Sequence, residues 1–147
     1  MVRVKERRRR QRVDVALPIK IEYNKKRIST RTKNISILGA YIETDREIPI
    51  GTTLDIKIVI PKKILARVYK HRRISCTGII FRCHPVAAVE EKNRYGIGIF
   101  FRSFEKEGEK DLSAFIDRVL LHEQKLGKIY MQKRKQRKLK QKGGGNQ

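Results

Sequence analysis

From Val13 to Tyr23 every second residue is apolar (Val13, Val15, Leu17, Ile19, Ile21, Tyr23), which predicts a strand with one buried face. Asn24-Lys25-Lys26 has turn composition, and residues 27–34 read as a returning strand that is polar apart from Ile28. Ala40, Tyr41 and Ile42 form a short third run, and Pro49-Ile50-Gly51-Thr52 a further turn. Leu54, Ile56, Ile58 and Ile60 alternate again until Pro61 stops the ladder. Ile74 to Cys83 and Tyr95 to Phe101 complete the strand set, and Gly96 and Gly98 in the last run predict a bulge or a sharp bend. The period then changes. Leu112, Phe115, Ile116, Val119 and Leu120 share one face of a helix, and Glu109 and Asp111 near its start complement the helix dipole. Leu126, Ile129 and Tyr130 would prolong that stripe, but Gly127 interrupts it. The pattern predicts a mainly β chain of about six antiparallel strands followed by one α-helix, between flexible polar ends.

Charge refines this picture. The 147 residues suit one domain, with 37 Lys+Arg against 15 Asp+Glu and a net charge of +22. Residues 1–12 hold seven basic residues and one acid (+6), and residues 125–147 hold nine basic residues and no acid (+9). The body at 13–124 carries 21 basic and 14 acidic residues (+7). Two strongly basic ends on a moderately basic body call for an anionic partner: nucleic acid, a nucleotide, an acidic protein or an acidic membrane surface. No 18-residue apolar run exists to span a membrane, and the basic N-terminus lacks the apolar core of a secretory signal. Two cysteines make no disulfide framework, which suits the cytoplasm.

Two segments carry candidate chemistry. In Glu6-Arg7-Arg8-Arg9-Arg10-Gln11-Arg12, the guanidinium forks can pair with phosphate or with a guanine edge; a general polyanion-binding arm would look the same. In Asn34-Ile35-Ser36-Ile37-Leu38-Gly39, Asn34 and Ser36 share strand parity and can both hydrogen-bond a base or phosphate. Gly39 permits a close backbone approach, although the same residues also suit a turn that only closes a strand.

Taken in this order, Arg8-x-x-x-Arg12 and Asn34-x-Ser36-x-x-Gly39 resemble the two motifs of the PilZ domain, a bacterial receptor for cyclic di-GMP. Gly39 to Thr44 looks like the strand after the family's second motif, Arg94 to Phe101 like its last strand, and Leu112 to Val119 like its closing helix. The resemblance covers roughly residues 6–122. It implies a six-stranded antiparallel β-barrel of split-barrel type with one C-terminal helix. It also implies that Arg8 and Arg12, assisted by Arg7, hold guanine and phosphate, while Asn34, Ser36 and Gly39 contact the other guanine and the ligand backbone. Asn34 stands where the family more often has Asp, so it donates as well as accepts. Arg3-x-x-x-Arg7 repeats the arginine spacing farther from the first strand. The arm at 1–12 is expected to wrap over bound ligand and to pass the signal to an effector protein.

Other chemistry is weaker. Cys76 and Cys83 lie seven residues apart, which in a regular strand means opposite faces, and with His71 and His84 they match no zinc spacing. His122 falls in the last turns of the predicted helix as a solvated residue. No hydrolase or nucleotide-triphosphate motif is present, so neither enzymatic activity nor a cofactor is expected. The tail from Lys125 suits nucleic acid, and a general nucleic-acid-binding barrel is the competing reading; Leu139 alone gives the tail no membrane-binding apolar face.

Overall fold

The computed structural model describes residues 11–60, 72–89 and 92–124. Arg7 and Arg8, and the expectations for the tail beyond 124, lie outside them.

The first hairpin joins β1 (Pro18–Tyr23) to β2 (Lys26–Ile35). Asn24 and Lys25 have φ of 48° and 63°, the pair of left-handed residues that a two-residue type I′ turn requires. Expected alternation begins at Val13 and is seen in burial, with Val13, Leu17, Ile19 and Ile21 all at 1% exposure or less. The hydrogen-bonded ladder starts only at Pro18; before it the backbone of residues 13–17 meets β2 at the isolated Val13–Ile35 bridge and where the Thr32 amide donates to the Leu17 carbonyl (2.9 Å). The side chain of Thr32 fills the gap. Its buried hydroxyl accepts from the Leu17 amide (2.9 Å) and donates to the Val15 carbonyl (2.6 Å).

The chain continues through β3 (Gly39–Thr44), β4 (Thr53–Ile60), β5 (Arg72–Val89) and β6 (Lys92–Phe104). The six strands close into an antiparallel barrel in the order β1-β2-β3-β6-β5-β4, with β4 returning to β1. Its interior is filled by aliphatic side chains, among them Ile42, Leu54, Ile58, Ile97 and Ile99, each fully buried. β5 and β6 run well past the expected limits as a long hairpin. Helix α1 occupies 108–124 and packs Leu112, Phe115 and Ile116 on the core, the face the sequence predicts. His122 is exposed, also as expected. Among the described residues no helix is long and apolar enough to cross a membrane.

Two expectations change at β5. The β5–β6 register shifts between Ile80 and Arg82, so Phe81 is an extra residue and the in–out parity reverses after it. Cys83 is therefore opposite the buried Ile97 and packs against the core, as does Cys76; the seven-residue spacing does not place them on opposite faces. Further shifts lie at Thr77/Gly78, where Arg102 is the extra residue on β6, and at Val86/Val89, none of them at Gly96 or Gly98, which make room for aromatic rings.

Candidate functional site

Arg12, the last arginine of the first motif, meets Asn34 of the second on the outside of the barrel, where residues 12–17 run beside β2. Arg12 donates from Nη1 to Oδ1 of Asn34 at 3.4 Å, at the long end of hydrogen-bond reach, across 22 residues of sequence. Asn34 is half-buried, opposite Tyr41 of β3. Both polar groups of the contact are accessible to a ligand. An uncharged Asn34 leaves the Arg12 charge available to an anion.

Ser36 and Gly39 play different parts. β2 ends at Ile35, so the shared parity of Asn34 and Ser36 does not extend to Ser36. Ser36 is 3% exposed; its hydroxyl accepts the Leu38 amide (3.1 Å) and its own amide donates to the Gly39 carbonyl (2.8 Å). Ser36 thus closes the turn that carries the motif from β2 into β3. Gly39 lies against β6 so closely that a Cβ would collide with the Ile99 carbonyl oxygen. Its lack of a side chain allows β3 to join β6 immediately after the turn.

Beside this contact is a cavity of about 350 Å³ whose lining includes Asp14, Arg31, Lys33, Glu43 and Arg94. Lys33 is paired with Glu43 at 3.5 Å, and with Asp14, Arg31 and Arg94 the lining mixes three cations with two carboxylates. The thiol of Cys76 is pushed up to about 12 by burial, with the Glu105 carboxylate adding to the shift, which leaves it a protonated core residue. Among the described residues no cluster of His, Cys, Asp or Glu could hold a metal ion.

Sequence reasoning missed the outer face of β3, β6 and β5. Tyr41 stacks on His84 with ring centroids 6.0 Å apart and 17° between planes, and its hydroxyl lies 3.3 Å from His84 Nε2. Phe81 lies over Gly98, where an added Cβ would come within 2.7 Å of its ring. The available signal was parity: Gly96 and Gly98 alternate with buried Ile97 and Ile99, so both glycines had to face outward.

A filled six-stranded barrel with a closing helix, bearing an arginine–asparagine contact on its outer face, defines a small β-barrel module whose candidate polar site is external. The PilZ domain family model matches residues 6–118, and the chain belongs to the PilZ family, a family of cyclic di-GMP receptors. Among solved structures it is similar to the Bacillus subtilis inhibitor of motility MotI/DgrA, with a TM-score of 0.61 and 18% identity over 76% of this chain and 50% of that one. It is also similar to K. pneumonia MrkH, with a TM-score of 0.59 and 13% identity over 80% of this chain and 51% of that one. MrkH in its apo state gives a TM-score of 0.52 at 18% identity, over 92% and 55% of the two chains. This chain spans about half the length of each of these proteins, and the likeness is one of fold. No curated protein matches the sequence.

Proposed function

We propose that this chain is a cyclic di-GMP receptor and adaptor rather than an enzyme, acting in the cytoplasm. The observation that carries this reading is the Arg12–Asn34 contact, which joins the last arginine of one family motif to the first residue of the other. In the proposal, Arg8 and Arg12 hold guanine and phosphate by paired, charge-assisted hydrogen bonds, with Arg7 assisting. Asn34 reads the second guanine, and Ser36 and Gly39 hold the turn that presents it. The chain divides into an arm at 1–12, a binding body at 13–124 and a basic extension at 125–147. Ligand binding draws the arm across the outer face, and the altered surface is read by an effector protein.

Titration calorimetry with cyclic di-GMP tests this directly. Saturable binding that is abolished in Arg8→Ala/Arg12→Ala, with an unchanged circular dichroism spectrum, is the expected result; equal affinity in the double variant would refute it. The nine cations and no acid of residues 125–147 favour a second reading, general nucleic-acid binding through the tail. Polynucleotide affinity would fall steeply with salt, whereas a ligand with two phosphates gives a shallow slope.

A further inference from the structure

Four of the five large apolar side chains that are exposed among the described residues are Leu38, Ile50, Phe81 and Phe100; the fifth, Leu121, is on α1. Phe81 and Phe100 flank the outward positions of β6. Along that strand the buried Ile97, Ile99 and Phe101 leave Gly96, Gly98 and Phe100 facing out, over a length of about 14 Å. Tyr41 lies over Gly96, Phe81 over Gly98, and Phe100 completes the row. The Phe81 ring sits against Gly98 through Cζ and Cε1 and is 48% exposed; Phe100 is 46% exposed.

The strip borders the motif residues along its length. Gly39 is the ladder partner of Phe100, and Tyr41 is the partner of both Gly98 and Asn34. Two strand spacings, about 10 Å, therefore separate Asn34 from the backbone under Phe81. Arg82 shares the β5 bulge with Phe81 and is exposed, and the outward residues of β6 from Gly96 to Arg102 include no carboxylate. Two glycines in one strand each weaken it. Here the room they leave is occupied by rings open to solvent rather than by core.

We propose that Phe81, Phe100 and Tyr41 form a stacking floor for a purine base of the ligand, outside both motifs, with Arg82 as its anion partner. A half-exposed ring held against the strand offers its open surface to a base at little entropic cost, and base–ring stacking with an adjacent guanidinium recognises a nucleotide by its π-face and charge together. This subsite deepens the cyclic di-GMP reading and rests on it.

The test uses the full chain and cyclic di-GMP. Phe81→Ser should weaken binding about tenfold, within the range for loss of one base–ring stack. Leu121→Ser, an equally exposed apolar deletion on α1, should leave affinity unchanged. The chain has no tryptophan, so Phe81→Trp introduces a single indole, which should keep the affinity and be quenched as the ligand saturates. If wild type binds and Arg12→Ala abolishes binding, but Phe81→Ser titrates like wild type, the subsite is overturned and the rings serve only to cover β6. An unquenched Phe81→Trp at saturation overturns it equally. Failure of the wild-type chain to bind would overturn the receptor reading and this subsite with it.

Discussion

Gly39 and Gly96 both leave too little space for a Cβ, yet substitution should be far more costly at Gly39 than at Gly96. At Gly39 the obstacle is backbone, the Ile99 carbonyl oxygen, with Ile99 C at 3.1 Å and Phe100 Cα at 3.4 Å. No rotamer change relieves that clash, so Gly39→Ala forces β3 away from β6. The Phe101 amide bond to the Leu38 carbonyl and the Ser36 amide bond to the Gly39 carbonyl, both 2.8 Å, lie in the displaced segment. Two such bonds contribute about 0.5–1.5 kcal/mol each, and forced overpacking costs about 1–3 kcal/mol. Reduced freedom of the unfolded chain returns about 0.4–1 kcal/mol, so the net loss should be about 1–5.5 kcal/mol, centred near 3. At Gly96 the obstacle is the end of the Tyr41 side chain, with Cζ at 2.8 Å, and His84 Cε1 at 2.9 Å. Tyr41 can swing outward; losing its stack on His84 costs about 1 kcal/mol, nearly offset by the same unfolded-state gain. Urea denaturation followed by far-UV circular dichroism, with equal m-values, measures both. A Gly39→Ala variant within about 1 kcal/mol of wild type, or a Gly96→Ala variant as damaged as Gly39→Ala, would refute the reasoning. The corollary concerns function: loss of ligand binding in Gly39→Ala would report a displaced strand, not a missing ligand contact.

Thr32→Val removes a buried hydroxyl that serves the Leu17 amide and the Val15 carbonyl together, and should cost about 1–3 kcal/mol by denaturant unfolding, whereas Thr32→Ser should recover most of it. Cys76 should resist a thiol reagent at pH 8 in a Cys83→Ser background and react fully once the chain is unfolded. Because its folded pKa lies above the ordinary value of 9.0, at about 12, its contribution to stability is present below pH 9 and is lost as pH rises towards 12. Comparison with Cys76→Ala isolates this from lysine titration, and equal alkaline losses in the two proteins would refute it.

The strands whose side chains alternate strictly were legible because one face of each is buried: β1, β4 and the Ile97–Phe101 part of β6 read correctly from period two. The failures follow where that condition lapses. In β5 one inserted residue, Phe81, reverses the parity, and nothing in the local composition marks it, so strict alternation puts Cys76 and Cys83 on opposite faces although both pack on the core. The length of the β5–β6 hairpin was missed because residues such as His84 and Pro85 carry no alternation. At the candidate site, Asn34, Ser36 and Gly39 were legible as a set but not in their separate roles. Asn34 is half-exposed beside Arg12, while a hydroxyl folded onto Leu38 and a glycine pressed on Ile99 depend on the partner strand.

The packing of the barrel also determines what kind of site it can offer. Leu54, Ile56, Ile58, Ile97 and Ile99 fill the interior at 1% exposure or less, so a ligand with two bases and two phosphates has to bind outside. On a convex outer sheet a ligand keeps much of its surface in water, and the polar contact found there, Arg12 to Asn34, is long and solvent-exposed. Such a surface gains affinity only by adding cover from two sides: basic chain from the N-terminal direction and apolar area from the sheet itself. The sequence supplies the first as seven basic residues within 1–12, and the fold supplies the second as Phe81 and Phe100 across the glycines of β6. Stacking is largely insensitive to salt whereas the arm's attraction is screened by it. Raising ionic strength should therefore weaken wild-type binding while leaving the relative effect of Phe81→Ser in place.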